Sequence, residues 1–325
     1  MNLMALGRCA WLCAALLAAS PVARAADAFP SKPIRVVNPY AAGGAVDVLT
    51  RILTEKMATS MGATFVIEAK PGGAGNIGTD AVARAPADGY TWLIATTSNA
   101  ANAALMPDLH TDLLRDLTPV AQFATSPNYF VVPASLSVNS IREYVALARS
   151  KPGQLSYGSA GIGSTPHLGF ERLKQVAGID VVAIPYKGAP SIVTDLASGR
   201  LSAAFLPAVL TLSHAKSGKF KVLAITDSKR SKDFPDVPTM AEAGLGDAVV
   251  APWFAVLVPR GTPPALISRI EGTIRDAVAS PDVASRFQAA GAVPVFQTGT
   301  QTRAMIRQEI SRWQELAKTT SLKAN

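Results

Sequence analysis

The stretch from Ile34 to Met57 limits the fold more than any other part of the chain. An apolar run, Ile34 to Val37, reads as a buried strand. Pro39 ends it, since proline has no N–H to give to a ladder. Gly43 and Gly44 then allow a tight turn with no Cβ in the way. Beyond them Val46, Leu49, Ile52, Leu53 and Met57 fall on one helical face. Strand, glycine turn and helix in that order make a βα unit. The N–H groups of the helix's first turn point past the strand end, where the helix dipole favours an anion. An ordinary βα turn has the same pattern, so this stretch alone fixes architecture and leaves chemistry open.

The rhythm then repeats. Phe65 to Glu68 reads as a strand, followed by Lys70-Pro71-Gly72-Gly73-Ala74-Gly75-Asn76-Ile77-Gly78, with four glycines in the seven positions 72 to 78. Thr79 to Ala85 starts a helix, and Pro86-Ala87-Asp88-Gly89 is a turn by composition. Trp92 to Ala95 is a third buried strand that runs out into a small-residue loop, Thr96-Thr97-Ser98-Asn99. Three such units in a row predict a parallel sheet, whose ligands bind at the carboxyl ends of the strands. The three loops should therefore share one rim.

Two extended segments follow without a new βα unit, Leu117 to Phe123 and Tyr129 to Pro133. A second rhythm then begins. Ser140 caps a helix over Ile141 to Ser150, and Leu155 to Ser159 is a strand. Ala160-Gly161-Ile162-Gly163-Ser164 is a glycine loop, and Thr165 to Ala177 a helix. Val181 to Tyr186, Ser202 to Phe205 and Phe220 to Thr226 read as further strands, with a helix over Ser191 to Ser198. Val249 to Pro259 is a second extended crossing. After Pro263-Pro264 come a helix, a short helix over Pro281 to Ala290 and a strand over Val293 to Phe296. A last helix carries Ile306, Ile310, Trp313 and Ala317 on one stripe. The pattern predicts two α/β lobes, 26–121 plus 250–325 and 122–249, joined by two hinge strands around a ligand-sized cleft.

The first 25 residues read as a leader. Arg8 gives a positive start, Ala10 to Ala19 an apolar run, and Ala23-Arg24-Ala25 a small-x-small cleavage signal. Cleavage after Ala25 leaves 300 residues with no cysteine, because Cys9 and Cys13 lie in the leader. Disulfides, thiol nucleophiles and thiolate metal sites are thereby excluded from the mature chain. The formal charge of +8 drops to +6 with the loss of Arg8 and Arg24. Its basic residues are scattered, with no interleaved aromatics, which argues against nucleic acid and for a solvated surface. The expected product is a soluble periplasmic monomer.

No catalytic set assembles. A phosphate loop needs Lys-Ser/Thr after its last glycine, and a dinucleotide fingerprint needs G-x-G-x-x-G after a strand; neither is present. Ser164 near His167 lacks the G-x-S-x-G elbow, because Pro166 stands in the way. Ser164 reads instead as a helix cap, and His167 in that first turn either packs or bonds a ligand. His110, His167 and His214 are too far apart in sequence for metal spacing, so neither a metal nor a cofactor is expected. Asp195 sits in a helix just behind its loop, as a local anchor or a ligand contact.

These residues carry a family likeness. Val36-Val37-Asn38-Pro39-Tyr40-Ala41-Ala42-Gly43-Gly44-Ala45-Val46-Asp47 with Arg51 resembles the first motif of Bug-type receptors, the periplasmic solute-binding subunits of tripartite tricarboxylate transporters. Glu68 to Gly78, Ala87 to Thr91, Tyr157 to Leu168 and Ile184-Pro185-Tyr186-Lys187-Gly188 match further motifs in order. The resemblance implies a two-lobed Venus-flytrap fold of the type II-like kind. It implies closure on a small organic or amino-acid carboxylate and partnership with membrane transporter subunits. It implies no enzyme activity. Carried onto this chain, it points to Ala42, Gly43, Ala45, Ala74, Gly75, Ser98, Asn99, Ser159, Gly161 and Ser164 as ligand-binding. Thr165, His167 and Asp195 complete the candidate set. Asn38 departs from the family's usual aliphatic residue, and Ala183 from a common histidine. A sensing subunit that feeds a membrane histidine kinase is the alternative on the same fold.

Overall fold

A computed structural model describes residues 29–106, 108–159, 164–186, 189–227, 229–250 and 252–319. The leader read over residues 1–25 lies outside them, as do Gly161 and Lys187-Gly188. The fold below is that of the unit Lys32–Asn325. Its chain begins with β1 (Ile34–Asn38), α1 (Ala45–Met61) and β2 (Phe65–Ala69). A 3-10 turn (Gly73–Gly75) then leads into α2 (Asn76–Ala83), β3 (Thr91–Thr96) and α3 (Thr97–Leu105). α1 forms where the sequence predicts, because Leu49, Ile52, Leu53 and Met57 are all buried. Each contributes roughly 1.5–3 kcal/mol by leaving water.

β4 (Leu117–Thr125) and β5 (Asn128–Pro133) are consecutive but belong to different sheets. Next come α4 (Ile141–Ser150), β6 (Ser156–Ser159), α5 (Thr165–Ala177), β7 (Val182–Pro185), α6 (Ala189–Ala197), β8 (Ala203–Pro207), α7 (Ala208–Lys216) and β9 (Phe220–Ile225). The chain closes with β10 (Trp253–Pro259), α8 (Pro264–Val278), α9 (Pro281–Ala289), β11 (Val293–Thr298) and α10 (Gly299–Thr319). The first sheet runs β11-β4-β10-β3-β1-β2 and the second β7-β6-β8-β5-β9.

The parallel expectation holds for part of each sheet. β2, β1 and β3 are parallel, whereas β10 pairs antiparallel with both β3 and β4, and β11 antiparallel with β4. In the second sheet β6 is parallel to β7 and β8 while β5 is antiparallel to β8 and β9, so both sheets are mixed. Thr97-Ser98-Asn99, read from sequence as a loop, is the first turn of α3. α7, which the sequence reading passed over, fills the span between β8 and β9.

In the second sheet an aromatic core positions the site. Tyr157 on β6 stacks on Phe170 of α5 at 4.0 Å, and Phe130 meets Tyr144 edge-on at 4.9 Å. Offset and edge-on aromatic pairs add about 0.5–1.5 kcal/mol beyond burial. They lock α5 onto β6, which fixes where Ser159 and Ser164 stand. The two lobes meet along a second apolar cluster, in which Leu168 of α5 joins Ala101 and Leu105 of α3, Val250 and Trp313 of α10.

Candidate functional site

The carboxyl ends of β1, β2 and β3 lie side by side, because these strands are parallel neighbours. The turn after β1 is Pro39 to Gly44. Gly44 caps α1 with no side-chain hydrogen bond, so N–H groups of the first helical turn are left for an outside acceptor. Gly43 has φ +82, a left-handed conformation open to glycine. Its N–H donates to Asp47 Oδ2 at 3.1 Å, and the same oxygen accepts from Arg51 Nε at 3.1 Å. Asp47 is buried and clamps the turn to its own helix. Arg51 is thus tied to Asp47 and is not held out over the strand ends.

The turn after β2 is built from left-handed residues. Gly72, Gly73, Ala74 and Gly75 have φ of 126, 56, 53 and 99. Ala74 is the one non-glycine residue with positive φ among the described residues. Holding alanine there costs roughly 1–2 kcal/mol. The turn closes on its own backbone: Gly75 N–H donates to Gly72 O at 3.0 Å and Asn76 N–H to Gly73 O, so its role is to shape the rim beside the first turn. Asn102 Nδ2 secures the turn by donating to Ala74 O at 2.9 Å and Asn76 Oδ1 at 3.0 Å. A Cβ on Gly78 would stand 2.9 Å from Pro39 Cβ, so the second turn packs directly on the first.

The third turn starts α3. Asn99 Oδ1 accepts from Thr96 N at 2.8 Å in a capping box, while Asn99 Nδ2 donates to Thr79 Oγ1 at 2.9 Å. Tyr40 OH bonds Thr96 Oγ1 at 2.8 Å and so joins the first turn to the third. Burial pushes the Tyr40 phenol pKa up, outweighing its hydroxyl partners, so it stays neutral. Ser98 and Asn99 are both buried. Asn99 has both amide atoms engaged within the protein and acts by positioning the turn.

On the second lobe, the start of α5 lies near α3, against whose Ala101 and Leu105 its Leu168 packs. Ser164 is the N-cap of α5, and its Oγ accepts from His167 N at 3.4 Å, with Pro166 in the first turn. Thr165 is half-buried beside it, and Ser159 is buried at the end of β6. Asp195 stands elsewhere in its hydrogen bonding. It accepts from Tyr186 OH at 2.7 Å and Arg200 Nη1 at 3.1 Å, which hold its carboxyl below the usual range. It ties Tyr186, the residue after β7, to α6. Burial lowers the His167 pKa, with Glu171 opposing and Lys174 assisting. Below about 6.5 the unfolded chain takes up a proton that folded His167 resists. Stability should therefore be full above that pH and decline as pH falls below it. His167→Gln should flatten this part of the profile in denaturant titrations; equal slopes in the two proteins would contradict it.

No lysine or arginine occurs in Pro39 to Ala45, Gly72 to Asn76 or Thr96 to Asn99. A separate cleft of about 500 Å³ lies between α5 and α10, lined by Arg172, Gln175, Val250, Arg312, Trp313 and Glu315. None of the turns above contributes to it.

The sequence profile of the tripartite tricarboxylate transporter family receptor, TctC, matches residues 49–322. The chain belongs to that family. This receptor is 38% identical to protein BugT of Bordetella pertussis (strain Tohama I) over 309 residues, 94% of each chain. It resembles an R. palustris protein solved with adipate, with a TM-score of 0.84 and 34% identity, over 90% of this chain and 98% of that one. It also resembles MatC of Rhodopseudomonas palustris, solved with bound malate, with a TM-score of 0.81 and 28% identity, over 88% of this chain and 99% of that one. The receptor has the two-lobed periplasmic binding protein fold, and its family is a family of transport receptors and not of enzymes.

Sequence reasoning named the turns of the receptor but not their clamps. Asp47 and Asn102 hold the first two turns, and Tyr40 links the first to the third. An acid four residues after a glycine, and asparagines on an alanine-rich helix, were the signals available for them. Ala42 and Ala45 lie on either side of Gly43-Gly44, with Ala42 exposed and Ala45 half-buried, so the first turn is accessible from solvent.

Proposed function

We propose that this receptor captures a small organic-acid anion between its lobes and delivers it to the membrane subunits of a tripartite transporter. One observation carries the reading. Turns built from glycine and small residues, with left-handed backbone or a helix start, converge on adjacent strand ends and contain no cationic side chain. Backbone N–H groups at helix starts suit a carboxylate. The adipate and malate in the two solved relatives support the same chemical class. In this reading Ala42, Gly43, Ala45, Ala74, Gly75 and Ser98 form one half of the site. Ser159, Gly161, Ser164, Thr165 and His167 form the other, while Asn99 and Asp195 hold loops in place.

The lobes take up 26–121 with 250–325, and 122–249. Sheet membership supports this division, since the chain passes between sheets at β4–β5 and again between β9 and β10. The leader 1–25 is removed on export, and the mature chain works as a monomer. Native mass spectrometry of receptor purified from a periplasmic fraction tests both points. The expected result is a monomer beginning at Ala26 that carries an organic acid. An intact Met1, or a protein whose affinity in calorimetry is confined to cationic or neutral solutes, would overturn the reading.

A further inference from the structure

Asn38 is the last residue of β1 and is fully buried, immediately before the first turn. Its Oδ1 accepts from Tyr40 N at 3.0 Å. That bond fixes the amide orientation, because a flipped amide would present a donor to a donor. Its Nδ2 therefore faces away from the Tyr40 N–H, and it finds no hydrogen-bond partner among the described residues. A buried donor without an acceptor is costly, and native structures supply one from protein, water or ligand. The buried unpartnered atom of Asn102 is an acceptor, Oδ1, so it cannot serve an anion. Asn38 is thus the side chain in this group with an unused donor beneath the turn that opens α1.

We infer that Asn38 is a solute-positioning residue. Its Nδ2 completes the donor set of the anion site, giving its hydrogen bond to an oxygen of the bound acid or to a water enclosed between the two. Neighbouring contacts favour this role. Tyr40, whose N–H is bound to Asn38, is itself bonded through its phenol to Thr96 at the third turn. A shift of the Asn38 amide is thereby transmitted to the two turns that face the solute. The inference rests on the carboxylate reading above.

The test compares wild-type receptor with Asn38→Val and Asn38→Asp, using adipate and malate in calorimetry and thermal unfolding without acid. Asn38→Val removes the unpartnered Nδ2 together with the Oδ1 that accepts from Tyr40 N–H, which offset each other in part, so its unfolding temperature without acid should fall by no more than a few degrees, whereas Asn38→Asp keeps that acceptor. Its affinity for whichever acid wild type binds should nevertheless drop by about three- to tenfold, the effect of one hydrogen bond. Asn38→Asp replaces the donor by a negative charge and should bind more weakly still. An Asn38→Val affinity equal to wild type would overturn the inference and leave the amide a feature of the fold alone. If wild type binds neither acid, the choice of solute class is at fault, and a crystal structure of the purified receptor decides about Asn38 separately. An oxygen of a bound solute, or of a water bonded to it, within hydrogen-bond distance of Nδ2 supports the inference; Nδ2 bonded to neither overturns it.

Discussion

Gly43→Val should abolish solute binding and leave the fold intact. Gly43 has φ +82, and a Cβ built there meets no atom within 4 Å. The added side chain would therefore project into the open space above the turn, where the anion must approach the backbone. Valine is also among the residues least able to hold a left-handed conformation. The turn would relax, and the Gly43 N–H would leave Asp47. Affinity should fall on the order of a hundredfold or more, corresponding to about 3 kcal/mol. Gly43 is exposed, so far-ultraviolet circular dichroism should be unchanged. Gly43→Ala carries the conformational strain with little of the bulk and should fall between the two in calorimetry. A Gly43→Val protein that binds like wild type would place the anion elsewhere.

The second large effect is on stability. Gly291 has φ +72 and lies just before β11 in the first lobe, and a Cβ on it would stand 1.8 Å from Ala208 Cβ and 3.1 Å from Ala208 Cα. Ala208 opens α7 in the second lobe. Ser126, in the link between β4 and β5, donates to Gly291 O at 3.3 Å. The two lobes thus meet here backbone to backbone, and neither partner is a flexible side chain that can step aside. Gly291→Val adds overpacking, roughly 1–3 kcal/mol, to a left-handed strain of about 1–2 kcal/mol. Denaturant unfolding should show a loss of about 2–5 kcal/mol with little change in slope. Wild-type stability in this variant would mean that the seam is not a packed contact in solution.

Much of this architecture was legible from local pattern. The glycines after β1, the 3.6-residue period of α1 and the serine before Thr165-Pro166 each state a local rule that the fold obeys. What was not legible depends on distant partners. Thr97-Ser98-Asn99-Ala100-Ala101-Asn102 has no strong apolar period, and it becomes helical through the Asn99 capping box and packing on α10. The antiparallel insertion of β10 between β3 and β4 joins residues more than a hundred positions apart, which no local window contains. Asp47 read as a residue behind its loop, yet its Oδ2 holds the loop's own N–H. The left-handed Ala74 carries no sequence signal at all, since alanine is a residue that ordinarily avoids this conformation.

The central claim is that backbone N–H groups, and not cationic side chains, hold the anion. Two-dimensional amide spectra of isotope-labelled receptor, titrated with the acid identified by mass spectrometry, test it directly. Downfield shifts are expected at the amides of Gly44 to Val46 and Ser98, which open α1 and α3, with the Trp313 indole N–H unmoved. If those amides stay in place and Trp313 shifts, the anion sits in the cleft of Arg172 and Arg312, and the account is contradicted.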